Sequence, residues 1–170
     1  MINTGQTVLV LGAIVLFAVL LPSLNESIFT SDSTRIVTQV ENSAMAAAQA
    51  ILMEAATLEF DEVCITTLPL NASQLTPTVA LGAEPGEYYP NYDDLDDFAS
   101  LSLVDTTTLS SVPLTLSAEV DYIDPANPGS TSVIQTFVKR LRVTVTSPYL
   151  IDPASRDSLQ ISLQRLYAFY

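Results

Sequence analysis

Residues 8–24 read VLVLGAIVLFAVLLPSL, and this apolar run decides how the rest of the chain can fold. A helix needs roughly 20 mostly apolar residues to cross the hydrocarbon core of a bilayer, and the run with its flanks reaches that length. No charged residue precedes Glu26. A cleaved secretory signal requires a basic segment before the apolar run, and this chain has none there. We therefore expect an apolar helix that stays with the protein.

An amphipathic pattern follows the apolar run from about Ile28. Pro22 lies between the two patterns, where it removes one helical hydrogen bond and acts either as a tolerated interfacial proline or as a flexible joint. The pattern predicts one long N-terminal helix over residues 1–62, with an apolar part at about 5–29 and an amphipathic part at about 30–62. Apolar residues recur there at three- and four-residue steps, at Ile36, Val37, Val40, Ala44, Ala47, Ala48, Ile51, Leu52, Ala55 and Leu58.

The composition and residue pattern of the remaining residues, 63–170, predict a loop-rich β domain. Residues 66–86 contain prolines and glycines and read as an irregular connection. Three later stretches alternate apolar and polar residues as antiparallel strands do, and a turn at 124–129 and a break at 147–155 separate them. The class predicted is α+β, with an antiparallel sheet packed on the second half of the helix. The apolar positions are Val112, Leu114, Leu116, Ala118, Val120 and Tyr122, then Phe137, Leu141, Val143 and Val145, then Leu159, Ile161, Leu163, Tyr167 and Phe169.

Charge and composition exclude several classes of function. The chain has 6 basic and 19 acidic residues, a net charge of −13, so a nucleic-acid partner is disfavoured. It contains no histidine and a single cysteine, Cys64, so neither a Cys/His zinc site nor an intrachain disulfide can form. The histidine base of most hydrolase triads is missing as well. We expect no enzyme activity, and we expect Cys64 to be a small buried hydrophobic residue.

Three segments carry a resemblance to a known family. These are ILMEAATLEFDEV at 51–63, YDDLDDF at 92–98 and KRLRVTVTSP at 139–148. Together with the retained apolar helix they resemble type IV pilins and pseudopilins, in particular minor pilins. The resemblance implies a homopolymer in which apolar N-terminal helices bundle in the filament core and β domains form the surface. It also implies a precursor pool in the inner membrane and a final location in an extracellular filament at the cell surface.

The N-terminus departs from the pattern of that family. A prepilin has a basic leader, a glycine at the cleavage point, and a glutamate shortly after it. Here Gln6 follows Gly5, no basic residue precedes it, and Val10 occupies the position of the glutamate. We expect an atypical branch that assembles without removal of a leader.

An acidic segment is the best candidate for a site. Asp93, Asp94, Asp96 and Asp97 offer hard oxygen ligands of the kind that calcium prefers, with Glu87 and Asp61 as additional ligands. The spacing is not that of an EF-hand. We favour a solvated acidic turn over a calcium site. A catalytic carboxylate pair is disfavoured, because the sequence shows neither an apolar pocket nor a nearby cationic partner to separate their pKa values.

Three interpretations of the function remain open at this point. The chain is either the filament subunit described above or a membrane-anchored pseudopilin or minor pilin of a secretion or assembly apparatus, which binds calcium or a partner through the acidic segment. A membrane-anchored envelope protein that binds a ligand is a third interpretation. Asn25 and Asn71 stand in sequons for N-glycosylation, which short chance matches also produce.

Overall fold

The computed structural model describes residues 3–107, 112–152, 155 and 157–170, and between positions 23 and 33 it describes the backbone alone. The described chain is an α+β protein, as predicted. It begins with helix α1 and ends with the strands. The elements are helices α1 (Thr4–Ala55) and α2 (Glu62–Thr66), 3₁₀ turns at Ala72–Gln74, Thr78–Ala80 and Asp96–Ser100, and strands β1 (Ser102–Asp105), β2 (Leu114–Tyr122), β3 (Val138–Ile151) and β4 (Ser158–Ala168).

The chain divides into two compact units, residues 1–39 and residues 40–170. In the first unit, the segment Thr4–Pro22 is long and apolar enough to cross a membrane, and none of it is buried within the protein. This confirms the predicted apolar helix. Helix α1 continues through Pro22, because the lost hydrogen bond is a local loss that a long helix tolerates. The side chain of Asn25 lies outside the described residues.

The second unit is built on a four-stranded antiparallel sheet with the order β1-β2-β3-β4. In β2 every second side chain is buried, which confirms the predicted alternation. The pairing of β2 with β3 sets Leu116 opposite Val145 and Ala118 opposite Val143. The register therefore brings the apolar positions of the two central strands to one face of the sheet.

The C-terminal part of α1 covers that face, as the sequence predicted. The buried helix positions are joined in one core cluster with residues of all the strands. The Tyr167 hydroxyl of β4 donates a 2.6 Å hydrogen bond to the carbonyl of Leu52 on α1. The helix side of this core consists of Val40, Ala44, Ala48, Ile51, Leu52 and Ala55.

Helix α1 ends at Ala55, seven residues before the predicted boundary at 62. The chain leaves the helix because Glu59 pairs with Asp94 as an isolated parallel bridge, with the Leu95 N–H donating to the Glu59 carbonyl at 3.0 Å. A separate short helix, α2, then begins after the N-cap Asp61. The compact units divide at 39/40 rather than at 62/63, since residues 40–55 share the core of the sheet.

Two details of the sheet differ from the prediction. The break expected at 147–155 is absent from β3, which runs on to Ile151 with a register irregularity after Thr146. Pro148 is tolerated there because the pairing of β3 with β2 ends at Thr146, so no ladder hydrogen bond to β2 is lost. Strand β1 was not predicted. It has only four residues and pairs with β2 at the sheet edge.

Candidate functional site

The acidic segment forms a tight turn that its own carboxylates hold together. The Asp94 Oδ1 accepts the backbone N–H groups of Asp96 and Asp97, at 2.7 and 3.2 Å. The Asp97 Oδ2 in turn accepts the N–H groups of Asp93 and Asp94, at 3.1 and 3.3 Å. Asp94 therefore accepts from the first N–H groups of the 3₁₀ turn, and Asp97 accepts from the two residues before Leu95, which explains why aspartate recurs in this segment.

The structure contradicts the expected solvated turn. Asp93 is exposed, but Asp94, Asp96 and Asp97 are buried. Burial, followed by the charges of Asp96 and Asp97, raises the pKa of Asp94 to about 8. Burial also raises the pKa of Asp96 to about 6, against the opposing effect of Lys139. One oxygen of each buried aspartate has no hydrogen-bond partner, namely Asp94 Oδ2, Asp96 Oδ2 and Asp97 Oδ1.

Lys139 is the cationic partner that the sequence interpretation did not find. Its ammonium group is fully buried and donates to the Asp61 Oδ2 at 2.8 Å, to the Asp96 carboxylate, and to the Phe60 carbonyl at 2.8 Å. The Nζ atom lies 4.6 Å from the centroid of the Phe60 ring and 5.2 Å from that of Tyr122. A charge so completely removed from water is stable only when its partners satisfy it, and here each of the three N–H groups has an acceptor.

Asp61, which was expected to assist calcium, is instead the best satisfied carboxylate of the cluster. Its Oδ1 accepts from the Val63 N–H at 3.2 Å and from the Thr76 hydroxyl at 3.1 Å. The Thr76 N–H donates to both carboxylate oxygens. The hydroxyl of Tyr122 lies 3.1 Å from Asp61 Oδ2, and burial raises the pKa of that tyrosine. We call Asp61, Asp96 and Lys139 the buried triad.

A second acidic group lies beside the turn. One carboxylate oxygen each from Glu84, Glu87 and Asp97 fall within 4.8 Å of one another. Gly86, at a φ of +105°, supplies the left-handed backbone that brings Glu84 and Glu87 together across a turn. Burial and a hydrogen bond with Glu87 raise the pKa of Glu84 to about 7. Three converging carboxylates are a donor set suited to a hard divalent cation.

The sequence-predicted ligands are thus distributed over two places. Glu87 was expected to assist the aspartates, and it lies beside Asp97 together with Glu84. Asp96 and Asp61 instead bind Lys139. Asp94 caps the turn, and exposed Asp93 contributes only its backbone N–H to that capping. Glu84 and Lys139 were missed. The signal for Lys139 was present, because the alternation of β3 puts position 139 on the same face as Leu141 and Val143.

No protein-family model, curated protein sequence or solved structure matches this chain. The class of protein that can be stated from the described residues is an α+β protein with an apolar N-terminal helix and a four-stranded antiparallel sheet.

Proposed function

We propose that this protein is a structural subunit of an extracellular pilus-like filament, in which the apolar N-terminal helices bundle in the core and the β domains form the surface. The observation that carries the proposal is the exposure of the apolar segment of α1. Its large apolar side chains are exposed from Val8 to Leu21.

Such a surface is unstable in water, since each exposed large apolar side chain forgoes roughly 1.5–3 kcal/mol of burial. Lipid covers it before assembly, and other copies of the same helix cover it in a polymer. Small residues on the helix favour the second arrangement, because they let neighbouring helices approach closely. A Cβ atom added at Gly12 would meet nothing within 4 Å. Ala13 and Ala18 are further small residues in the same segment.

The distribution of charge supports the same assignment. Of the 19 acidic residues, only Glu26 and Asp32 precede Glu41. The second unit therefore carries almost all the negative charge, and a strongly charged unit remains in water. The described residues contain no basic cluster beside the apolar segment that would bind an anionic membrane surface. A chain with one purely apolar segment and one strongly acidic folded unit suits a polymer with a dry core and a hydrated surface.

The test is a charge placed in the apolar segment. We expect Ala13→Asp to abolish filaments seen by electron microscopy of sheared cells, because an unpaired carboxylate in a helix bundle is strongly unfavourable. The matched control is Ala13→Ser, which keeps the position small and uncharged and should assemble normally. The near-ultraviolet circular dichroism of the tyrosines should be the same in both variants. Normal filaments from Ala13→Asp would contradict the proposal.

A second candidate function is a membrane-anchored component of a secretion or assembly apparatus that binds calcium. The group of Glu84, Glu87 and Asp97 favours it, since Asp97 is fully buried and its Oδ1 has no hydrogen-bond partner. This candidate predicts a membrane protein that never forms fibres.

Calcium binding is tested by thermal unfolding of the full-length chain in detergent. We expect calcium to raise the melting temperature, since a ligand at about 100 times its Kd stabilises the folded state by about 2.7 kcal/mol. Glu87→Gln should abolish the increase, whereas Glu41→Gln, outside the group, should retain it. An equal melting temperature in calcium and in chelator would exclude calcium binding.

A further inference from the structure

The buried triad places a primary amine in direct contact with two carboxylates. Lys139, Asp61 and Asp96 are each at most 2 % exposed. The Nζ atom of Lys139 contacts both carboxylates, and the rings of Phe60 and Tyr122 flank it. The three residues come from separate parts of the chain: the linker before α2, the 3₁₀ turn at Asp96–Ser100, and the first residues of β3. Folding therefore creates this arrangement.

The two carboxylates differ in their surroundings. Asp61 receives hydrogen bonds from the backbone and hydroxyl of Thr76 and from the backbone of Val63. Asp96 has one oxygen against Lys139 and the other, Oδ2, buried with no partner. Asp96 is thus the carboxyl group that is free to react, and Asp61 is the one that its hydrogen bonds hold in place.

We propose that Lys139 and Asp96 condense in the folded protein to form an intramolecular isopeptide bond. Asp61 takes one proton from the Lys139 ammonium group and passes it to the Asp96 carboxylate, and the freed nitrogen lone pair then attacks the Asp96 Cγ. A bond forms between Nζ and Cγ, and one Cγ–O bond breaks. The leaving oxygen departs as water, with that first proton and a second proton that Asp61 relays from Nζ. Asp61 ends as a carboxylate, so the net reaction consumes one ammonium and one carboxylate and yields one amide and one water.

The surroundings of the triad favour this condensation in three ways. The fixed contact replaces a bimolecular encounter by an intramolecular one, which removes much of the entropic cost of bringing the two groups together. The burial of all three residues limits the access of water that would compete with the amine or hydrolyse the product. The amide also removes an ion pair whose burial is costly. Because Cys64 is the single cysteine, this link would be a covalent crosslink of a kind that a disulfide cannot provide within the chain. The inference does not depend on the proposed filament.

The decisive measurement is peptide mass analysis of the full-length wild-type protein, purified in detergent and held folded at neutral pH. Trypsin cleaves after unmodified lysine, so the linear chain yields a peptide of residues 36–139. The crosslinked chain resists cleavage there and yields residues 36–140, lighter than its sequence by the mass of one water. Further digestion after glutamate should leave residues 88–119 and 120–140 joined to each other.

Variants identify the reacting groups. Lys139→Arg keeps the charge but cannot form the amide, and Asp96→Ala removes the carboxyl, so both should show the linear mass. Asp96→Asn should still crosslink but lose ammonia instead of water, which a merely structural ion pair would not do. Asp61→Asn should slow the appearance of the crosslink after refolding. Asp93→Ala, an exposed aspartate of the same turn, is the control and should crosslink like the wild type.

The wild-type measurement alone can overturn the proposal, so failure of a variant to fold does not protect it. Complete tryptic cleavage after Lys139, with peptides 88–119 and 120–139 found separately, would show that the triad remains an ion pair.

Discussion

At the scale of a single residue, the Asp94 carboxylate stabilises the acidic turn by its hydrogen bonds but destabilises it by its buried charge. Its Oδ1 is needed to accept two backbone N–H groups, whereas its Oδ2 is buried with no partner. Burial raises its pKa from 3.8 to about 8. The folded state therefore binds a proton that the unfolded state releases at about pH 4, and stability falls as the pH rises from about 4 to about 8.

Replacing Asp94 by asparagine tests this dependence on pH. The amide keeps an oxygen for the turn and carries no charge, so Asp94→Asn should be more stable than the wild type at about pH 8, by at least about 1 kcal/mol given about 1.4 kcal/mol per pKa unit. At about pH 4 the two proteins should be nearly equal. Denaturant unfolding of the full chain in detergent measures both. Burial also raises the pKa of exposed Asp93, but by less, so Asp93→Asn should change the slope less than Asp94→Asn does. A wild-type slope in Asp94→Asn would refute the argument.

Single residues also mark the limit of what the sequence could predict about the site. The cluster of aspartates was visible in the sequence, but its burial was not, because burial depends on the bridge between Glu59 and Asp94 and on the opposing face of β3. Lys139 illustrates the difficulty: a lysine in an alternating strand is ordinarily assigned to the solvent face. Only the register of the neighbouring apolar residues places it inside.

At the scale of elements, the contact of α1 with the sheet depends on small residues. Ala44 and Ala48 are fully buried at the centre of the core cluster, where a larger side chain would push the helix from the strands. The helical period predicted this face correctly, and the alternation predicted β2 and the central part of β3. Strand β1 escaped prediction because four residues are too few to show a period. The extension of β3 beyond Thr146 was not predicted, because proline normally interrupts a strand. It is tolerated here because the pairing with the neighbouring strand β2 has already ended.

Overpacking tests the contact between α1 and the sheet. We expect Ala48→Leu to destabilise the second unit by about 1–3 kcal/mol, since the added methylenes have no space in a closed core. Ala46 lies on the exposed side of the same helical turn, so Ala46→Leu should change stability by less than about 0.5 kcal/mol. Denaturant midpoints of both variants, measured in the same detergent, give the comparison. Equal effects at the two positions would show that the helix does not pack as described.

At the scale of the whole molecule, the net charge of −13 governs how copies can approach one another. In the proposed filament the acidic units lie side by side, and their mutual repulsion opposes the burial of the apolar helices. The repulsion is screened over about 10 Å at 0.1 M salt but reaches about 30 Å at 0.01 M. Assembly should therefore depend on ionic strength in a way that a neutral polymer would not.

We expect purified filaments to shorten or dissociate when dialysed from about 0.1 M to about 0.01 M sodium chloride, because the screening length then exceeds typical distances between neighbouring units. Sedimentation and electron microscopy of the same sample measure the loss of polymer. Sucrose at matched osmolarity, which adds no ions, is the control and should not restore the fibres, whereas returning the salt should. Filaments that stay intact at low salt would contradict this expectation. The negative charges of neighbouring units would then be neutralised in the filament, by the few basic residues or by bound cations.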